Sequence, residues 1–362
     1  MNASWQTYWR KLASGTRREP VDRLLLFCLV PPAWLYSCIL RLRALLYQAG
    51  IMKTAHLPRP VVSIGNITVG GTGKTPVTAF IARMLMVQGY KVAVISRGYG
   101  GVLEGQTCIV SDGDTIMMTA RECGDEPYLL ASTIPGLMVV IGTDRYAAGL
   151  MAMQQLTPDI FLLDDGFQHL RLHRDLNILL LDFSLPFGNG WTLPAGMLRE
   201  ATSAIRRSDL VIFTRTPEEA AIPIDTRGIP RCLARHTLTD LLPLHGGAPL
   251  SFSDCREKKV AACAGIADPE AFFTALRSQG LQLVQTFSYP DHVAYDTQRC
   301  AELAEALQAN GADVLVTTEK DGVKLKGCTP EMAARTLLAR LELTIDTPEL
   351  LKGKLAELLQ HS

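Results

Sequence analysis

The chain has 362 residues, of which 48% are hydrophobic and 20% charged, with Lys+Arg and Asp+Glu both at 36. That length and apolar share exclude a disordered chain and leave room for about two domains, each with its own core. The zero net charge excludes the global basic field that would make nucleic acid a main partner.

The first fifty residues differ from the rest. Arg10, Lys11, Arg17, Arg18 and Arg23 precede an apolar run over 24–40, and Arg41 and Arg43 follow it. The run is shorter than the roughly 20 residues of a clean span, and Pro31-Pro32 is expected to break it. Arg41-Leu42-Arg43 is a poor cleavage site for a secretory signal. A membrane-associated segment over 1–55 is the expectation, either a short kinked span or an interfacial helix. Trp34, Tyr36 and Tyr47 suit the interface. The alternative is a helical pair packed on the body of the protein.

Next comes Val61-Val-Ser-Ile-Gly-Asn-Ile-Thr-Val-Gly-Gly-Thr-Gly-Lys-Thr-Pro76, the stretch that organises the chain. A buried strand over 61–64, a glycine turn, Gly-Lys-Thr and a helical pattern from Pro76 form the order of a phosphate-binding P-loop. Gly70, Gly71 and Gly73 let backbone N–H groups approach phosphate oxygens without a Cβ in the way. Lys74 reaches the β- and γ-phosphates, the Thr75 hydroxyl ligates Mg²⁺, and Pro76 sits just inside the helix. Thr68 stands where the strict pattern has glycine, so Thr68, Val69, Gly70, Gly71, Thr72, Gly73, Lys74, Thr75 and Pro76 are the expected nucleotide-binding residues.

A second strand over 91–96 ends in Arg97-Gly-Tyr-Gly-Gly101. Gly124-Asp-Glu-Pro127 opens a helix with Asp125 and Glu126 at its start, where carboxylates are usually caps. A strand over 137–141 leads to Thr143-Asp-Arg145 and an alanine-rich helix. The strand over 159–164 ends in Asp164-Asp165, the pattern of a Walker B element whose carboxylate faces Mg²⁺. His169 and His173 lack a third ligand and read as ordinary surface or substrate-side histidines. Two more strands, 177–182 and 210–214, complete a mainly parallel, doubly wound sheet. The glycine- and proline-rich loop between them carries Arg199 and Glu200, candidates for the substrate side.

Periodicity weakens over 217–254, which reads as a linker. A smaller α/β domain follows over 255–362, with strands at 259–264, 281–287, 313–317 and 337–345 and a terminal helix. The loop Tyr289-Pro-Asp-His-Val-Ala-Tyr295 and the run Thr318-Glu-Lys-Asp321 both follow strand ends. The whole is therefore α/β: two doubly wound α/β/α domains, with the P-loop domain at 56–216, behind an N-terminal membrane-associated segment. Nine cysteines fall without a Cys-x-x-Cys pair, which predicts reduced thiols in a cytosol-facing protein and no zinc site.

The ordered set Ser63–Pro76, Ser96-Arg-Gly-Tyr-Gly-Gly101, Gly124-Asp-Glu-Pro127, Leu163-Asp-Asp-Gly-Phe-Gln-His169, Pro194-Ala-Gly-Met-Leu-Arg-Glu200 and Thr318-Glu-Lys-Asp321 resembles the tetraacyldisaccharide 4'-kinase family over nearly the whole chain. The resemblance implies a P-loop kinase on the cytoplasmic face of the inner membrane. It implies ATP with Mg²⁺, and transfer of the γ-phosphoryl to the 4'-hydroxyl of a tetraacylated glucosamine disaccharide 1-phosphate. Its partners are then the lipid acceptor and the membrane surface, with no obligate protein partner. It puts the catalytic carboxylate on Asp125, its histidine partner on His292, the metal-side carboxylate on Asp164 beside Asp165, an arginine near the transferred phosphate on Arg145, and a glutamate of the mobile loop on Glu200. Two other classes stay open, a membrane-associated GTPase switch and a lipid-binding protein with a structural ATP. The first needs a guanine motif that Thr318-Glu-Lys-Asp321 matches poorly, with its lysine one place late.

Overall fold

The structure is a computed structural model that describes residues 3–17, 19–219, 221–325 and 328–360. Arg18, one of the basic residues before the apolar run, lies outside the described residues. The elements in order are α1 (Ala3–Ala13), α2 (Pro20–Gln48), β1 (Val61–Asn66), α3 (Lys74–Val87), β2 (Val92–Ser96), β3 (Cys108–Asp112), α4 (Ala120–Cys123), α5 (Asp125–Thr133), β4 (Met138–Ile141) and α6 (Arg145–Gln155). They continue with β5 (Ile160–Asp164), β6 (Leu176–Asp182), β7 (Leu210–Thr214), β8 (Arg231–Pro243), β9 (Lys259–Ala264) and α7 (Pro269–Ser278). The chain closes with β10 (Gln282–Ser288), α8 (Thr297–Ala309), β11 (Val314–Thr318), α9 (Glu319–Leu325), α10 (Pro330–Ala334), β12 (Thr336–Ile345) and α11 (Pro348–Gln360).

The chain forms two compact units, each discontinuous in sequence. The first holds 1–96, 144–235 and 344–362, and the second holds 97–143 and 236–343. Residues 97–143, which the sequence reading placed with the P-loop domain, cluster with the C-terminal strands because α5 packs against α9. The stretch expected to be a linker carries β8, a strand of 13 residues that begins in the first unit and ends in the second. Its buried residues Cys232, Ala234, Leu238 and Leu241 keep no single period. That is why alternation failed to reveal it.

In the first unit β1 lies between β5 and β6, with β2 beyond β5 and β7 and then β8 beyond β6, all parallel. Every residue of β1, β5 and β7 is buried, the pattern of a parallel sheet covered on both faces. Strand order runs out from β1 in both directions, so ligands are expected at the carboxyl ends of β1 and its neighbours.

The second unit carries β10, β9, β11 and β12 in parallel order. Alternation along β9 divides its residues between two cores. Val260, Ala262 and Ala264 pack with Phe272, Phe273 and Leu276 of α7, while Ala261 and Cys263 pack with Leu303 and Leu307 of α8. Cys300 and Cys328 form a disulfide here, against the expectation of uniformly reduced thiols; sequence spacing carries no information on how closely α8 approaches Cys328.

Helix α2 departs from expectation too. It runs unbroken for 29 residues through Pro31 and Pro32, roughly 43 Å at about 1.5 Å per residue. The prolines delete two backbone hydrogen bonds, yet the helical turns on either side carry through. One side docks on the body: Ala33 is fully buried, its carbonyl accepts from Thr192 Oγ1 at 2.8 Å, and Ser37 Oγ lies 3.0 Å from the same hydroxyl. The opposite side leaves Leu24, Phe27, Trp34, Leu35, Leu42 and Leu45 more than half exposed.

Candidate active site

The P-loop forms where β1 ends. Gly73 takes φ +73°, a left-handed conformation that a Cβ resists, and α3 starts at the next residue. The first intrahelical bond runs from Val77 N to Gly73 O at 3.2 Å. The N–H groups of Lys74 and Thr75 precede that bond, and Pro76 has none to lose. The loop is fixed from outside as well. Thr214 Oγ1 donates to Thr72 O at 2.9 Å, Val69 N to Met197 O at 2.7 Å and Arg199 N to Ile67 O at 2.7 Å. The proline-rich loop expected to be mobile is thus tied along the P-loop's entry. Two buried polar atoms at the cradle, Asn66 Oδ1 and Thr72 Oγ1, have no hydrogen-bond partner, as a site that receives a polar ligand would leave them.

Beside the loop, Asp164 ends β5 and Asp165 follows it. Asp164 is buried and accepts from Thr78 Oγ1 at 3.4 Å. Asp165 takes φ +56°, and its carboxylate receives Arg199 Nη1 at 2.8 Å and faces Lys74 Nζ at 3.8 Å. Burial pushes the Asp165 carboxyl up, but the charges of Lys74 and Arg199 outweigh it and hold the group below the usual carboxylate range. Arg145, buried at the start of α6, adds its charge to both Asp165 and His169. Burial, reinforced by Arg145, lowers His169 to about 4, so its imidazole is neutral at pH 7. Thr75, Asp164 and Asp165 offer hard oxygen donors. Among the described residues no three His, Cys, Asp or Glu side chains gather into a ready metal cage. Mg²⁺ takes one or two carboxylates and completes its shell from phosphates and water, so this donor set fits it.

Glu200, expected on the substrate side, is held bidentately by Arg207, with Oε1 at 2.8 Å from Nη2 and Oε2 at 2.7 Å from Nη1. The guanidinium lies 4.9 Å over the Phe167 ring. Arg199, by contrast, faces the P-loop lysine through Asp165.

In the second unit, Asp125 is the first residue of α5, behind Gly124 at φ +92°. A Cβ on Gly124 would stand 2.7 Å from Tyr99 O, so this approach needs glycine. The Asp125 side chain does not cap its helix. His292 Nδ1 stands 3.3 Å from Asp125 Oδ2, and Lys324 Nζ stands 3.3 Å from the same oxygen. Burial raises the Asp125 carboxyl, while the His292 hydrogen bond and the Lys324 and Lys320 charges lower it further than burial lifts it. His292 takes φ +61°, its backbone N–H bonded to Asp291 Oδ1 at 3.0 Å and its ring meeting Tyr99 edge-on at 5.3 Å. A non-glycine residue held in that region costs about 1–3 kcal/mol and concentrates at functional positions.

Thr318-Glu-Lys-Asp321 is no guanine site. Asp321 is fully buried, accepts from Gly265 N at 2.9 Å and Thr318 Oγ1 at 2.8 Å, and pairs with Lys324 at 3.1 Å. Lys320 joins Asp291 at 3.0 Å and Glu126 at 3.4 Å. Sequence reasoning gave no site role to Lys320, Lys324 or Arg207. Lys320 entered only as the lysine of Thr318-Glu-Lys-Asp321, and Lys324 left a trace three residues after Asp321 and so on the same helical face.

Residues 25–360 match the family model described as tetraacyldisaccharide-1-P 4'-kinase. The chain is 62% identical over 360 residues to the tetraacyldisaccharide 4'-kinase of Pelobacter propionicus, covering 99% of this chain and 100% of that protein. It is 56% identical to the one from Geobacter sulfurreducens, over 88% of this chain and 89% of that one. Among solved structures, LpxK from Aquifex aeolicus, crystallised in complex with ATP, superposes with TM-score 0.78 at 34% identity, covering 92% of this chain and 99% of that one. With its P-loop, its paired strand-end aspartates and a match along almost its full length, the chain belongs to the tetraacyldisaccharide-1-P 4'-kinase family.

Proposed function

We propose that the chain transfers the γ-phosphoryl group of ATP to the 4'-hydroxyl of a tetraacylated glucosamine disaccharide 1-phosphate, the reaction for which its family and relatives are named. The observation that carries the reading is the contact of His292 Nδ1 with Asp125 Oδ2 at 3.3 Å. A passive lipid binder has no use for a buried carboxylate oriented by a strained histidine, and a nucleotide-hydrolysing switch would turn it on water whether or not lipid is present.

In this reading the sugar oxygen bonds to the γ-phosphorus as the bond to the bridging oxygen breaks. ADP leaves with the electron pair, and the hydroxyl proton passes to Asp125. The transition state of phosphoryl transfer is loose, so the proton leaves late and the placement of its acceptor matters more than its basicity. His292 orients the carboxylate. Lys74 and the P-loop N–H groups hold the phosphates, and Arg145 and Arg199 add positive charge near Asp165. Mg²⁺, when bound, neutralises charge on the phosphate oxygens; Thr75, Asp164 and Asp165 would hold it.

The exposed apolar side of α2 gives the membrane side of the proposal. An acceptor carrying four acyl chains stays in a bilayer, so the enzyme must come to it. A row of exposed Leu, Phe and Trp side chains on one helix is the feature that enters lipid. The cytoplasmic face of the inner membrane, where ATP is available, is the proposed location.

The test is incubation of the purified protein with γ-labelled ATP, Mg²⁺ and the tetraacyldisaccharide 1-phosphate in mixed micelles. Label is expected on the lipid as a 4'-phosphate. Release of free phosphate at the same rate with and without lipid would overturn the proposal.

A further inference from the structure

We propose that Lys324 is a positioning residue for the phosphoryl transfer: its ammonium, anchored from behind by Asp321, fixes the orientation of the Asp125 carboxylate that receives the acceptor's proton. The inference rests on the reading of Asp125 as proton acceptor and deepens it. Lys324 itself touches neither substrate.

The geometry makes Lys324 a strut between two carboxylates. Its Nζ stands 3.1 Å from Asp321 Oδ1 and 3.3 Å from Asp125 Oδ2, and its side chain is only 9% exposed. Asp321 cannot turn, because its other oxygen is held by Gly265 N at 2.9 Å and Thr318 Oγ1 at 2.8 Å. Those donors come from the residue after β9 and the last residue of β11, two hydrogen-bonded neighbours in the sheet. The chain of contacts therefore runs from the sheet through Asp321 and Lys324 to Asp125.

His292 and Lys324 both approach Oδ2 of Asp125. Two positive or donor groups on one oxygen fix the plane of the carboxylate and leave Oδ1 for an incoming hydroxyl. A buried ammonium without an anion would be strongly disfavoured, so the lysine stays where its two partners are. The Tyr295 ring, 5.5 Å from Nζ, closes the other side.

Other groups around Asp125 are accounted for. Lys320 of α9 adds positive charge but is paired with Glu126 and Asp291. Cys123 of α4 is pushed up to about 12 by burial and stays neutral. Glu122 of α4 is bonded to Thr119, and Asp112 of β3 to the N–H groups of Asp114 and Thr115. Lys324 is thus the charge on α9 that reaches Asp125 directly.

The experiment compares wild type, Lys324→Met, Lys324→Arg, Asp321→Asn and Asp125→Ala in the full chain, measuring kcat, KM for ATP and kcat/KM against pH. Lys324→Met is expected to lower kcat about tenfold or more, leave KM for ATP near wild type, and move the acid limb of kcat/KM up by about one pH unit. Lys324→Arg restores the limb. In the Asp125→Ala background, Lys324→Met and Asp321→Asn are expected to cost nothing further, because both act through that carboxylate. If Lys324→Met does not fold, Asp321→Asn supplies the same cycle. An unmoved acid limb, or an equal fold-loss with and without Asp125, overturns the role of Lys324 alone. Near-normal turnover by folded Asp125→Ala overturns the reading of Asp125 and this proposal with it.

Discussion

Asp125 and His292 lie 167 residues apart in the chain, yet His292 Nδ1 stands 3.3 Å from Asp125 Oδ2 within one compact unit. A strained backbone at His292 and a glycine behind Asp125 hold the pair together. If they act as one device, Asp125→Ala and His292→Ala should each lower kcat by about 10²–10⁴-fold. The double variant should be little worse than the poorer single one. A double-mutant cycle under conditions where chemistry limits the rate checks this, and multiplicative losses would show two independent roles.

Lys74→Ala and Thr75→Ala are expected to lower kcat by about 10²–10³-fold or more, with thermal melting close to wild type. Both residues stand in the first turn of α3 and are only partly buried, outside the set of buried α3 residues that includes Val77, Ile81 and Leu85. Steady-state kinetics on the folded variants decides the matter; near-normal turnover removes the P-loop from the reaction.

The exposed side of α2 makes a separable prediction. Replacing Phe27, Leu35 and Leu42 together by Asp is expected to release the protein from sedimenting lipid vesicles. Activity on acceptor in a bilayer should fall more than activity on acceptor dispersed in detergent. These side chains are 77%, 57% and 58% exposed, so melting in detergent should barely change. Undiminished sedimentation would place the membrane contact elsewhere.

Arg207 and Glu200 form a buried pair, with side chains 15% and 9% exposed. Removing the arginine alone leaves a carboxylate without its partner, so Arg207→Ala is expected to destabilise the fold by about 3–5 kcal/mol. Adding Glu200→Gln should recover part of that loss, which denaturant titration can measure. If Glu200 instead serves the substrate, Glu200→Gln alone will lower activity while stability holds.

Stability should fall on the acid side. Asp125 and Asp165 both titrate below the usual carboxylate range in the folded state. A depressed folded pKa contributes stability that is present above the unfolded value of about 3.9 and lost as pH falls through the folded one. Tm is therefore expected to drop as pH is lowered from about 5 to about 3, and less steeply in Asp125→Asn than in wild type. An identical slope in the two proteins would mean that Asp125 is not tied to its cationic neighbours.

The sequence by itself determined the elements whose signals are local. β1, the glycine turn and α3 follow from an apolar run, residues that tolerate positive φ and a helical period; Asp164-Asp165 is marked by the strand before it. The strands β9 to β12 of the second unit were legible for the same reason. Helix α2 was misjudged at Pro31-Pro32, because a proline pair weighs heavily in a local rule while 29 residues of helix outweigh two lost bonds. Tertiary structure alone decided which charges meet. Lys324 reaches Asp125, Arg199 reaches Asp165 and Arg207 takes Glu200, each pairing fixed by how α5, α9 and the loop after β6 pack. Tertiary structure also returned residues 97–143 to the unit that carries His292. Local sequence specifies backbone conformation, because sterics and hydrogen bonds act over a few residues. Ion pairs and domain membership depend on distances through space, and those exist only once the chain has folded.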